Sequence, residues 1–108
     1  QEVIRSMIYL VSYDLVMLPQ QPFSFIPRPP HPLYQELEQC RSWWHYLDKT
    51  WLISTKETLK ELDKRLRQHL SPTDKLLILK FHGEYAGALP DEAWQWIEER
   101  MSVGELVR

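Results

Sequence analysis

Six of the eight prolines fall in one stretch, Leu15 to Pro32, "LVMLPQQPFSFIPRPPHP". Proline has no amide donor and a fixed φ, so neither a helix interior nor an inner strand can be built there. The stretch reads as a single long loop, of a length that in a compact domain marks a functional segment or a surface insertion. One short segment precedes it, and every other element must follow it.

The preceding segment, residues 7–13, is rich in β-branched and aromatic residues and too short for a typical helix, which predicts a central strand ending at the carboxylate of Asp14. Residues 1–6 read as an extension, with Met7 a natural start. Beyond Pro32, which suits a first helical turn, Leu33, Leu37 and Cys40 recur at helical spacing. "SWWHYLDKTWLIST" then predicts a hairpin, with strands at 42–47 and 50–54 around Asp48-Lys49, although no glycine is present to supply the positive φ of a favoured two-residue turn. Ser54 and Glu57 have capping-box spacing ahead of a helix carrying Leu59, Leu62, Leu66 and Leu70 on one face; Glu61 and Arg65 stand at i, i+4. "SPTD" stops that helix, "KLLILKF" at 75–81 predicts a strand, "EYAGA" predicts a short fifth strand or a linker, and Pro90-Asp91 open a last helix with Ala93, Trp94, Ile97 and Met101 on one face.

This order defines an α+β chain and matches a ferredoxin-like βαββαβ sandwich with an extra short strand and a C-terminal helix, in one domain spanning 1–108. The first strand sets Ile8 and Leu10 against Tyr9, Val11 and Tyr13, and the strand at 75–81 sets Leu77, Leu79 and Phe81 against Leu76, Ile78 and Lys80, so both faces of the sheet are largely apolar. Two helices cover only one face. The other needs the terminal helix or a second subunit, which predicts a symmetric homodimer.

A chain of 108 residues, 44% apolar and 26% charged, can bury one core without staples and should not be disordered. The net charge of −2 gives no general attraction to phosphate backbones or anionic membranes, so a nucleic-acid role must rest on a local patch or a metal. One cysteine excludes an internal disulfide and fits a reducing cytoplasm; no apolar run is long enough for a membrane span.

Asp14 is the residue with most chemical promise. A carboxylate at a strand end can hold hydrated Mg²⁺ or cap a turn, and two copies of Asp14 meeting across a dimer axis would give Mg²⁺ the pair of carboxylates it accepts. The four histidines fall at no metal-ligand spacing, and His45, among aromatics, reads as a hydrogen-bonded structural residue. Lys60, Lys64, Arg65 and Arg67 form the only basic cluster: either a nucleic-acid contact or a solvated helix face. Trp43, Trp44, Tyr46 and Trp51 can stack bases or fill a core or dimer contact, and Tyr9, Trp44 and Tyr46 are the candidate dimer or partner face.

At "YLVSYDL" the chain resembles the start of the small CRISPR-associated endoribonuclease subunit of the spacer-acquisition complex, whose first strand ends in a Tyr-Asp pair. "SWWHYLDKTWLIST", "LRQHLSPTDKLLILKFHGEYAGALP" and "AWQWI" are similar to the SinR-like small proteins of the same superfamily. The resemblance implies a homodimer with facing sheets and, in active members, a divalent metal such as Mg²⁺ on Asp14, with Tyr13 and Ser12 shaping the site for cutting RNA or DNA. Other members are noncatalytic partners in defence or toxin-antitoxin systems. The chain departs from the CRISPR subunit in its acidic "YQELEQC", where that subunit has an arginine-rich helix, and in its negative charge; both argue against duplex binding.

Overall fold

A computed structural model describes residues 6–16 and 31–106, with side chains as far as Met101. Residues 1–5 of the expected extension and residues 17–30 of the proline-rich stretch lie outside the described residues. The elements run β1 (Met7–Asp14), α1 (Pro32–Glu38), β2 (Ser42–Leu47), β3 (Thr50–Thr55), α2 (Leu59–Arg67), β4 (Lys75–Lys80) and α3 (Asp91–Leu106). The strands form one four-stranded sheet of order β2-β3-β1-β4 with every neighbouring pair antiparallel. The chain is thus α+β, with a central β1 as its apolar composition predicts. No helix among the described residues is long and apolar enough to cross a membrane.

Alternation along β1 builds two layers of core. Tyr9, Val11 and Tyr13 point to the face that α1 and α2 cover, where they pack with Trp51 and Ile53 of β3 and with Leu33, Leu37, Cys40, Leu62 and Leu66. The other face carries Trp44 and Leu52, with Leu10 beside them, and α3 lays Ala93 and Ile97 across these residues. Arg100 of α3 anchors the helix there: its Nε donates to Ser42 Oγ at 2.9 Å and its guanidinium lies 4.2 Å from the Trp96 ring centroid. The terminal helix covers only part of the second face. On β4, Leu77 is 55% and Leu79 is 49% exposed.

Local chemistry accounts for the element ends. His31 Nδ1 accepts from Leu33 N at 3.0 Å, capping α1 just ahead of Pro32. The hairpin closes over Asp48 and Lys49 with no positive φ at either residue; an irregularity between Trp44 and Leu47 shifts the register and takes up the mismatch in twist that such a turn imposes.

Three expectations are corrected. The capping box of α2 is Thr58 with Glu61, not Ser54 with Glu57: Ser54 is committed to the β3 ladder opposite Ile8 and Ser42, so the helix starts one turn later. Glu61 accepts from Thr58 N in that box, and Arg65 turns instead to Glu57 and Glu36. Residues 84–88 form no strand: Gly83, at φ +87°, turns the chain, and Tyr85 stacks on Trp94 of α3 at 6.0 Å rather than extending the sheet.

Candidate functional site

Asp14 closes β1, with its side chain 65% exposed. Lys49 Nζ stands 3.8 Å from its Oδ1, an open-solvent pair worth under about 1 kcal/mol. Lys75 is its cross-strand partner on β4, and residues paired in an antiparallel ladder point to the same face. Ser12, two residues back, shares that face and lies with its Oγ 3.1 Å from Thr50 Oγ1 and 3.4 Å from the Lys49 carbonyl oxygen. Asp14 is therefore not buried, and among the described residues it caps no backbone amide. Asp74 caps the chain there instead, its carboxylate accepting from Val16 N and Ser71 N, each at 2.8 Å; these amides hold it below the usual carboxylate range.

Tyr13 does not join this site. It points to the opposite face, is buried there, and its hydroxyl accepts from Trp51 Nε1 at 2.9 Å. Burial pushes its phenol well above the ordinary value, so it stays neutral. The two-residue period of a strand is enough to exclude Tyr13 as a neighbour of Asp14.

Within one chain the donors fall short of a metal centre. Asp14 is a lone carboxylate beside an ammonium group, and among the described residues no three His, Cys, Asp or Glu side chains converge where an ion could sit. Two chains bringing Asp14 and Ser12 together would supply two carboxylates and two hydroxyls, an adequate set for hydrated Mg²⁺.

The basic cluster divides. Lys60, Lys64 and Arg67 are exposed on α2, with Arg67 Nη2 at 2.7 Å from Asp63 Oδ2. Arg65 is no surface contact. Its Nε and Nη2 bond both oxygens of Glu57 at 2.8 Å, Nη1 bonds Glu36 Oε2 and the Glu36 carbonyl at 2.8 Å, and Nη2 also meets Cys40 Sγ at 3.3 Å, so all five N–H groups are engaged. His69 Nε2 lies 3.0 Å from the other Glu36 oxygen. The guanidinium holds both carboxyls below the usual range, while burial pushes the Cys40 thiol up. This network straps α1 to α2. The helix-surface rule sees only i, i+3 and i, i+4 partners, so it could not find Glu57 or Glu36.

The proposed partner face of Tyr9, Trp44 and Tyr46 is not one surface. Tyr9 is buried under α1 and α2 with its hydroxyl donating to the Glu57 carbonyl at 2.9 Å. Trp44 is buried on the opposite face beneath α3, where its indole N–H meets no acceptor among the described residues. Only Tyr46 is exposed, edge-on to Trp44 at 5.4 Å. Trp51 sits in the helix-side core, with half-exposed Trp43 against it at 5.1 Å and His45 stacked on it at 4.1 Å. His45 also bonds the Asp48 carbonyl at 2.8 Å, the structural role its aromatic setting predicts.

Comparisons of the chain with protein-family models, with curated proteins and with solved structures give no match.

Proposed function

We propose that this chain is a cytoplasmic homodimer with the ferredoxin-like fold, a small relative of the CRISPR-associated endoribonuclease superfamily, and that paired Asp14 carboxylates hold Mg²⁺ for the cleavage of nucleic acid. The observation that carries this reading is the setting of Asp14. It ends the central strand, exposed, on the half of a sheet face that α3 leaves open beside Leu77 and Leu79. The strand order β2-β3-β1-β4 with α1 and α2 on one face is what a split βαβ repeat produces. The exposed leucines on the other face give a second copy an apolar surface to cover, and in the proposed dimer the open halves stack across a two-fold axis with the two Asp14 side chains facing each other.

The dimer and the chemistry are tested separately. Changing Leu77 and Leu79 together to lysine is expected to drop the solution mass, by light scattering, from about twice 13.0 kDa to 13.0 kDa without unfolding the chain. Asp14→Asn is expected to keep the dimer and abolish Mg²⁺-dependent cleavage of RNA or DNA. A wild-type chain that binds no Mn²⁺ and cuts neither polymer rejects the nuclease. The second reading, a noncatalytic dimeric interaction module in a defence or toxin-antitoxin setting, would then hold; the Lys49 ammonium beside Asp14 and the half-exposed Trp43 and Tyr46 favour it.

A further inference from the structure

The sheet has two edge strands, β2 and β4. The ladder of β2 on β3 is broken between Trp44 and Leu47, and a bulged edge is a poor template for a further strand. β4 keeps one register against β1 along all six of its residues, from Asp14↔Lys75 to Tyr9↔Lys80. Just past that register Phe81 N donates to Ile8 O at 2.8 Å, so by the two-residue period Lys75, Leu77 and Leu79 also turn their backbone groups toward β1. Leu76, Ile78 and Lys80 turn theirs to the outer edge, where no strand among the described residues pairs with them.

Side chains mark the two ends of this edge with opposite charge. Leu76, Ile78 and Lys80 share the helix-covered face, the first two half-buried and Lys80 exposed. At the Leu76 end a cavity of about 420 Å³ opens between β4 and the end of α2, lined by Leu70, Pro72 and Leu76 with Asp63, Arg67 and Asp74. Two carboxylates against one guanidinium leave that lining one negative charge in excess, and Lys75 extends from the opposite face, across from Asp14. Lys80, at the other end, stands apart from every ion pair among the described residues. Leu77 and Leu79 flank the same edge on the open face.

We propose that the outer edge of β4 takes up an extended segment of a partner protein as a fifth, antiparallel strand, whose residues run acidic, apolar, apolar, apolar, basic. The acidic residue lies opposite Lys80 and the basic one opposite Leu76, with its head in the anionic cavity and its stem over Leu70 and Leu76. Of the three apolar residues, the middle one meets Ile78 on the helix side, and the outer two lie beside Leu77 and Leu79 on the open face. Main-chain bonds to Leu76, Ile78 and Lys80 supply affinity, and the two charged ends fix direction and register. The proposal is independent of the nuclease reading, which concerns the face of the sheet and not its edge.

The test is titration of a fluorescein-labelled peptide, Thr-Glu-Val-Val-Val-Arg-Thr, with the full chain, read by anisotropy. Saturable binding is expected. N-methylation of the middle valine, whose N–H faces the Ile78 carbonyl, should weaken it about tenfold, whereas N-methylation of the valine after it, whose N–H faces away from β4, should change it less than about twofold. Exchanging the glutamate and arginine of the peptide should weaken binding about three- to tenfold, because each charge then meets its like. Ile78→Pro removes an outward donor and none of the bonds to β1, so it should abolish binding while the far-ultraviolet circular dichroism stays unchanged. If that variant unfolds, the two methylated peptides decide alone. Equal effects of the two methylations, or indifference to the charge exchange, would mean apolar adhesion and overturn the proposal, as would a wild type that binds no peptide at about 1 mM. A chain that takes up no peptide but loses self-association in Ile78→Pro pairs its edge with a second copy, which also overturns it.

Discussion

Trp51→Ala should cost about 4 kcal/mol of folding stability, read as a lowered urea midpoint at unchanged slope. Trp51 is buried on β3 among Tyr34, Trp43 and His45, and its indole N–H is the donor to the buried Tyr13 hydroxyl. Truncation removes a large ring from a close-packed layer, strands the Tyr13 hydroxyl and frees the His45 ring from its stack. Trp51→Phe refills most of the volume without the donor and should cost about 2 kcal/mol less. If the two substitutions cost the same, the hydrogen bond to Tyr13, not the packing, dominates.

Arg65→Ala should cost about 3 kcal/mol at neutral pH, because it leaves the Glu36 and Glu57 carboxylates partly buried and facing each other without their cation. The loss should depend on pH in a definite direction. In the native chain Arg65 holds both carboxyls below their ordinary value of 4.5, so they contribute stability that is present above that value and lost as pH falls through their lowered folded values. The variant lacks this contribution. The gap between native and variant midpoints should therefore be widest near neutrality and narrow below about pH 4, as both carboxyls take up protons. A gap that stays constant from about pH 7 to about pH 3 would mean that Arg65 acts through its stem rather than its charge. Arg65→Lys, which keeps one charge but not the fork that grips Glu57 at two points and reaches Glu36, should recover less than half of the loss.

These two residues also mark the boundary of what the sequence could reveal. Strand and helix positions are local: the β-branched and aromatic runs at 7–13, 42–47 and 50–54, and the leucines of α2, carry their own period and appear close to where composition places them. Choices between overlapping local signals are not local. Ser54 and Thr58 both head a capping-box spacing, and the ladder contacts of Ser54 decide for Thr58. The residues 84–88 carry a weak strand signal, and their packing against α3 decides against it. At the site, Asp14 was legible as a strand-end carboxylate, and the face it shares with Ser12 follows from alternation. Its neighbours Lys49 and Lys75 come from other strands and become visible only with the register. The engagement of Arg65 was hidden for the same reason, since Glu36 is joined to it by the packing of α1 on α2 and by nothing in the spacing.

The central place of β1 also has a consequence in time. Its two neighbours arrive late: Tyr9 must wait about forty residues for Ile53 and about seventy for Lys80. Until β3 has been made, β1 has no ladder to join, and the sheet cannot be completed before β4 is available. The hairpin of β2 and β3 and the helix α2, which need only near neighbours, can organise first and serve as the template onto which the older strand docks. Refolding should then be limited by this late, long-range capture rather than by helix formation, and an emerging chain carries an apolar, unpaired strand until β3 has been made.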